Sequence, residues 1–251
     1  MSDVKLGRMP LFATTAAAAL LALTACGTSR TLHGQHVFRF SGDRLVIDDS
    51  TSDLQLVPGS GAGIAVQRWL SGTAAKPGHS SWTLSGDTLR LGINCSGLVF
   101  HCGSRFEVAV PPGVPVVVHS GTGNDTVSGL SASVIVDGGA GTVQLSGMSG
   151  PLRVGTGSGN ITASAIRSST VRATSNEGNV DISFAAAPRL AAVSSSDGNA
   201  TVRVPAAGQR YHVLVTAGGG SAQSKVPDDR QSSSVVQVSS GNGTAKVLPT
   251  S

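Results

Sequence analysis

Glycine recurs at Gly123, Gly141, Gly159, Gly178, Gly198, Gly220 and Gly243, at intervals of 18, 18, 19, 20, 22 and 23 residues. A period of that length is one turn of a stacked repeat, and its drift is what small loop insertions produce. Seven and five residues before each glycine stand Val116 and Val118, Val134 and Val136, Leu152 and Val154, Val171 and Ala173, Ala191 and Val193, Val213 and Val215, Val236 and Val238. All are apolar. Two and four residues after it stand Asp125 and Val127, Val143 and Leu145, Ile161 and Ala163, Val180 and Ile182, Ala200 and Val202, Ala222 and Ser224, Ala245 and Val247, with only Asp125 and Ser224 polar. Apolar residues spaced by two on both sides of a Ser/Gly/Asn turn predict short strands whose alternate side chains share one interior.

The amino terminus reads as a targeting segment. Lys5 and Arg8 precede an Ala/Leu-rich run from Leu11 to Leu23, which is shorter than the roughly 20 residues of a spanning helix. The run closes on Leu23-Thr24-Ala25-Cys26, which resembles the bacterial lipobox, and that resemblance implies acylation of Cys26 after removal of residues 1–25. Loss of Asp3, Lys5 and Arg8 leaves a net charge of about +3. A balance this mild, without Lys/Arg blocks and with few aromatic residues, predicts no nucleic-acid partner.

Export also frames the cysteines. Cys95 and Cys102 close a short loop, and in an oxidising compartment they read as a disulfide contributing about 2–3 kcal/mol. A metal site at Cys95, His101 and Cys102 lacks a fourth ligand nearby.

Residues 26–36 read as a polar tether, and residues 37–249 as one domain. Leu45 and Ile47 with Leu54 and Leu56 echo the repeat around Ser52, which predicts an eighth unit early in the chain. Ile64 to Val110 stays β-like but irregular, as terminal units of a stack are. No stretch of the mature chain has the period of an amphipathic helix.

These Val-x-Val strands, the Ser-Gly-x-Gly-Asn turns, the early Cys pair, the linker Val110-Pro111-Pro112-Gly113-Val114 and the lipobox resemble the bacterial putative-adhesin family of β-strand-repeat surface lipoproteins. The resemblance implies a parallel β-helix-like fold at the cell surface and no established activity.

Chemical motifs are sparse. Ser120 to Val127 resembles a calcium-binding nonapeptide repeat, but Val143, Ile161 and Val180 occupy the Asp125 place in the following turns, so no metal site is expected and Asp125 reads as an end-of-stack or turn residue. Asn124, Asn160, Asn179 and Asn199 each follow an anchor glycine and predict an Asn ladder along the turns. No nucleophile elbow or His-Glu-x-x-His is present. The outward row three residues past each glycine, Thr126, Gln144, Thr162, Asp181, Thr201, Gln223 and Lys246, is the best binding surface but holds one acid, short of a glycosidase pair. The row six residues before it begins with Val117 and Ile135, which predicts that the amino-terminal segment covers that face. Trp69 and Trp82 read as core of the amino-terminal part or as sugar-stacking platforms.

The expectation is therefore an all-β protein, a parallel β-helix-like solenoid of about 7–8 coils with an irregular disulfide-stapled amino-terminal part. It would be lipid-anchored at Cys26 on the extracytoplasmic face of the membrane, would use no cofactor, and would act as a non-enzymatic adhesin-like or envelope-binding scaffold for polysaccharide or protein. The rival is a polysaccharide-active β-helix lyase or glycosidase.

Overall fold

The computed structural model describes residues 31–96 and 101–250, and these are all strand and turn apart from one 3-10 turn at Thr73–Ala75. The expected signal peptide and Cys26 lie outside the described residues. The amino-terminal part contains β1 (Leu32–Phe38), β2 (Leu45–Asp49), β3 (Asp53–Pro58), β4 (Ile64–Gly72), β5 (Ser80–Ser85), β6 (Thr88–Ile93) and β7 (Cys102–Val110). Seven two-strand repeats follow: β8 (Val116–Ser120) and β9 (Asp125–Ser128), β10 (Val134–Gly138) and β11 (Val143–Ser146), β12 (Leu152–Thr156) and β13 (Ile161–Ile166), β14 (Thr170–Glu177) and β15 (Val180–Phe184), β16 (Leu190–Asp197) and β17 (Ala200–Val204), β18 (His212–Ala217) and β19 (Ala222–Ser224), β20 (Val235–Ser240) and β21 (Ala245–Pro249).

These strands form two parallel-rich sheets. One has 11 strands in the order β1-β4-β7-β3-β9-β11-β13-β15-β17-β21-β19, and the other has 10 in the order β18-β20-β16-β14-β12-β10-β8-β2-β6-β5. Each repeat places its first strand in the ten-stranded sheet and its second in the eleven-stranded one, with the glycine turn crossing between them. Register follows the apolar columns: Val134 lies opposite Val116 and Leu152, and Val143 opposite Asp125 and Ile161. Side chains of these columns are buried between the sheets except in the Gly220 repeat, where Val213 and Val215 are half-buried and Ala222 and Ser224 exposed, and each buried branched one contributes about 1.5–3 kcal/mol over exposure.

The early echo is a repeat of the same kind. Leu45 and Ile47 pair with Val116 and Val118, and Leu54 and Leu56 with Asp125 and Val127. Beyond it lie β6 and β7, with Leu89 opposite Ile47 and Phe106 opposite Leu54. The antiparallel β1, β4 and β5 finish this end, where Phe38, Phe40, Trp82, Leu84 and Ile93 pack on the core. Strand β1 begins at Leu32, inside the stretch read as tether.

Chain order and stack order differ at the other end. The Gly243 repeat (β20, β21) sits between the Gly198 repeat and the Gly220 repeat, so β18 and β19 are outermost. Turn chemistry explains this. Ser240 donates its hydroxyl to the Gly198 carbonyl and Asn242 donates to Asp197 Oδ1, whereas the Ala217-Gly218-Gly219-Gly220 turn has neither group to offer an interior neighbour. The outer repeat is tied down by buried Tyr211, whose hydroxyl donates to the Pro205 carbonyl at 2.7 Å, and by Asp228, which accepts from the Val213 N–H at 2.9 Å.

One expectation is corrected. Val117 and Ile135 are half-buried on the ten-stranded sheet, while β1 pairs at the edge of the eleven-stranded sheet and does not cover them. β1 is an added edge strand of that sheet, paired antiparallel with β4 through backbone bonds.

Candidate functional site

The turns between the sheets carry three columns of residues. A Cβ on Gly141 would overlap the Gly123 carbonyl oxygen, one on Gly159 the Gly141 oxygen, and so on through Gly178, Gly198, Gly243 and Gly220. Glycine is fixed here by the approach of one turn to the next. Three residues earlier stands a buried hydroxyl column: Thr156 and Ser175 donate to the Gly159 carbonyl, Ser195 to Gly178 and Ser240 to Gly198, at 2.6–2.9 Å. These hydroxyls satisfy carbonyls that the glycine turns leave in the interior. Sequence reasoning missed this column, because Ser and Thr before Gly also fit an ordinary turn.

The Asn residues form the expected ladder, from side-chain oxygen to backbone N–H of the next turn. Asn160 Oδ1 accepts from Asn179 N–H at 2.8 Å, Asn179 Oδ1 from Asn199 at 2.9 Å, and Asn199 Oδ1 from Thr244 at 2.9 Å. Asn124 accepts from Thr142 and is itself bonded to Asp53. These amides are engaged in holding turns together.

Asp125 keeps its register and points inward, only 2% exposed. Ser120 Oγ donates to its Oδ2. Burial, with the nearby Asp49 and Asp53 charges adding to it, pushes its carboxyl up to about 6 against that hydrogen bond. Asp49 is also buried, and burial raises it although its Oδ1 accepts the Thr51 and Ser52 N–H groups. The folded state thus holds the Asp125 proton more tightly than the unfolded chain. Its contribution to stability is full below pH 3.8 and is lost as the pH rises through about 6. In buffers of monovalent salt, Asp125→Asn is expected to abolish a loss on the order of 2–3 kcal/mol between pH 4 and pH 7, read by urea denaturation.

Two open sites flank the ten-stranded sheet. The first, a groove of about 250 Å³ on its outer face, is lined by Asp137, Arg153, Arg172, Thr174, Ser194 and Ser239, with Gly155 leaving its floor low. Arg153 and Arg172 are exposed partners in register on β12 and β14, and among the described residues neither forms an ion pair. Neighbouring guanidiniums without a carboxylate partner, next to hydroxyls, suit a phosphate or carboxylate. The second, a corner pocket of about 570 Å³, is lined by Asp48, Asp49, Arg90, His119 and Ser120 among others. Asp48 is shared there by His119 Nδ1 at 3.1 Å and Arg90 Nε at 3.6 Å.

The outward row of the eleven-stranded sheet runs further than the sequence reading had it, through Gln55, Glu107 and Gln67, and Lys246 stands between Thr201 and Gln223. Its acids are Glu107, which accepts from Gln67, and Asp181, paired with Arg203. Five strand spacings separate them, about 24 Å. Glycosidase carboxylates stand about 5–10 Å apart.

The tryptophans divide. Trp82 packs on the core under the Arg68 guanidinium, 4.0 Å from its ring centre, and Trp69 lies outward between His33 and Arg105. Cys95 and Cys102 have Cα atoms 6.4 Å apart, within the span of a disulfide. Among the described residues no three His, Cys, Asp or Glu side chains converge as a metal site, and no helix is long and apolar enough to cross a membrane.

No curated protein matches the chain. Among solved structures it is similar to a putative adhesin from Parabacteroides merdae, at 13% identity over 88% of this chain and 98% of that one, with a TM-score of 0.47. A putative adhesin from Parabacteroides distasonis matches at 14% identity over 88% and 98% of the two chains, with a TM-score of 0.44. A putative lipid binding protein from the same species matches at 11% identity over 86% and 94%, with a TM-score of 0.39. The model of the Toastrack DUF4097 domain matches residues 115–248, which take in the seven glycine repeats and more than half of the sequence; the chain belongs to the Toastrack DUF4097 family.

Proposed function

We propose that the protein is a non-enzymatic β-solenoid of about eight coils, stapled near its amino end by Cys95–Cys102 and anchored through acylated Cys26 on the extracytoplasmic face of the membrane. There its ten-stranded sheet holds an anionic envelope polymer. The observation that carries this reading is the pair of unpartnered guanidiniums, Arg153 and Arg172, set in register on adjacent strands above a hydroxyl-lined groove. A repeat of strands about 4.8 Å apart offers fixed spacing to a chain of repeated charges, and bidentate guanidinium contacts favour phosphate or carboxylate over neutral sugar. The distance between the acids of the outward row supports binding over cleavage.

The test is retention of the full-length protein, in detergent, on immobilised poly(glycerol phosphate) and on neutral dextran. Retention on the anionic polymer alone is expected, weakening with salt. The Arg153→Ala/Arg172→Ala double variant should lose affinity at least tenfold with its melting temperature unchanged. Equal retention of wild type and variant would refute the groove, and shortening of the polymer would favour the enzymatic rival. For the anchor, Cys26→Ser is expected to abolish labelling by a palmitate analogue in the producing cell.

A further inference from the structure

The repeat has two rules for its turn interior, and neighbouring repeats break both. At the hydroxyl column, where later repeats have Thr156, Ser175, Ser195 and Ser240, the β2 repeat has Asp49, in register with Ser120. At the apolar column, where Val143, Ile161 and Val180 follow, the β8–β9 repeat has Asp125. Both departures face the same turn interior between adjacent repeats, and Ser120 links them: it lies one strand from Asp49 and donates to Asp125 Oδ2.

What they leave unsatisfied is specific. Asp49 Oδ2, Asp125 Oδ1 and the hydroxyl of Ser52, itself only 1% exposed, are buried without a hydrogen-bond partner. Native interiors rarely leave such groups bare, and here three of them belong to one turn region. One shared proton, together with the hydrogen of the Ser52 hydroxyl, could link the three oxygens, but it leaves one buried carboxylate charged. A divalent cation beside these oxygens would offset both charges. Asp53 adds negative charge to both carboxylates. At the mouth, Asp48 is held by Arg90 and His119. Asp49 and Ser120 also line the corner pocket, which brings solvent next to this turn.

We propose that Asp49, Asp125 and Ser52 form a buried site for a divalent cation of the calcium class, which joins the β2–β3 repeat to the β8–β9 repeat. All-oxygen ligands select hard cations, and an irregular site with two carboxylates suits calcium over magnesium, which demands near-ideal octahedral geometry. Two carboxylates place the affinity on the order of 0.1–1 mM, the range of extracellular modules. The site is independent of the polymer groove.

Thermal unfolding of the full-length protein in detergent at pH 7.5 tests it. Against chelator alone, 10 mM calcium chloride is expected to raise the melting temperature by about 3–6 °C or more, and 10 mM magnesium chloride by less. Asp125→Asn and Asp49→Asn should each remove the calcium response, while Asp137→Asn, on the outer face, should retain it. A melting temperature indifferent to calcium would overturn the site in favour of a shared proton, and a full response in both buried variants would place the ion on the surface. Should either variant not fold, calorimetric titration of the wild type decides: one calcium per chain, absent at equal concentrations of sodium, supports the site, and no binding refutes it.

Discussion

Gly141→Ala is expected to be among the most damaging single-methyl changes in the protein, lowering stability by about 4 kcal/mol or more in urea titration. The added Cβ would overlap the Gly123 carbonyl oxygen, and the neighbours on that side are backbone atoms that no rotamer change can move. Relief requires the two turns to separate, which breaks the Ala140 N–H bond to the Gly121 carbonyl and the Thr142 N–H bond to Asn124. Overpacking that forces backbone shifts costs about 1–3 kcal/mol, and the lost hydrogen bonds add about 1 kcal/mol each. Gly61→Ala is the control, since nothing lies within 4 Å of a Cβ there, and it should stay within about 0.5 kcal/mol. If both cost the same, the close approach of turns is not what fixes glycine at the repeat interval.

Strand register was readable from the sequence because it is written twice in every repeat, on either side of the glycine. The pairs Val134 with Val116 and Ile161 with Val143 follow directly from it. Stack order was not readable from the same columns, since Val213 and Val215 present the same inward pattern as Val236 and Val238. What ranks those two repeats lies in the turn: Ser240 keeps the hydroxyl that reaches the Gly198 carbonyl, and Ala217 has lost it. That signal was present, but a hydroxyl is informative only once it is known to face a buried carbonyl. Asp125 is the reverse case. Its column assigned it to the interior, and the prejudice against a buried acid made a turn residue look safer. Asp49, 76 residues away, supplies the second half of that departure, and no local window holds both. Arg153 and Arg172 lie in the sequence row six residues before the glycine that begins with Val117 and Ile135, whereas the groove they line, with Gly155 in its floor, is a property of the folded sheet.

Replacing Ile161 or Val180 with Asp should cost several kcal/mol, while Thr162→Ala and Asp181→Ala change stability by about 0.5 kcal/mol or less. Ile161 and Val180 are paired neighbours on β13 and β15 and are buried between the sheets. Each lies in the apolar column between apolar neighbours, Val143 and Val180 beside Ile161 and Ile161 and Ala200 beside Val180, which offer a charge no partner. A carboxylate there must remain charged without a partner or take up a proton, and either route destabilises the fold at neutral pH. Thr162 and Asp181 follow by one residue and face outward, so truncation removes no buried contact. Asp181 does pair with Arg203, but both side chains are more than a third exposed, and solvent reduces such a pair to a few tenths of a kcal/mol. Urea midpoints of the four variants at pH 7 read the contrast directly. Equal losses at Ile161 and Thr162 would mean that the strand does not alternate between core and solvent, and the parallel register that sets Arg153 beside Arg172 would fall with it.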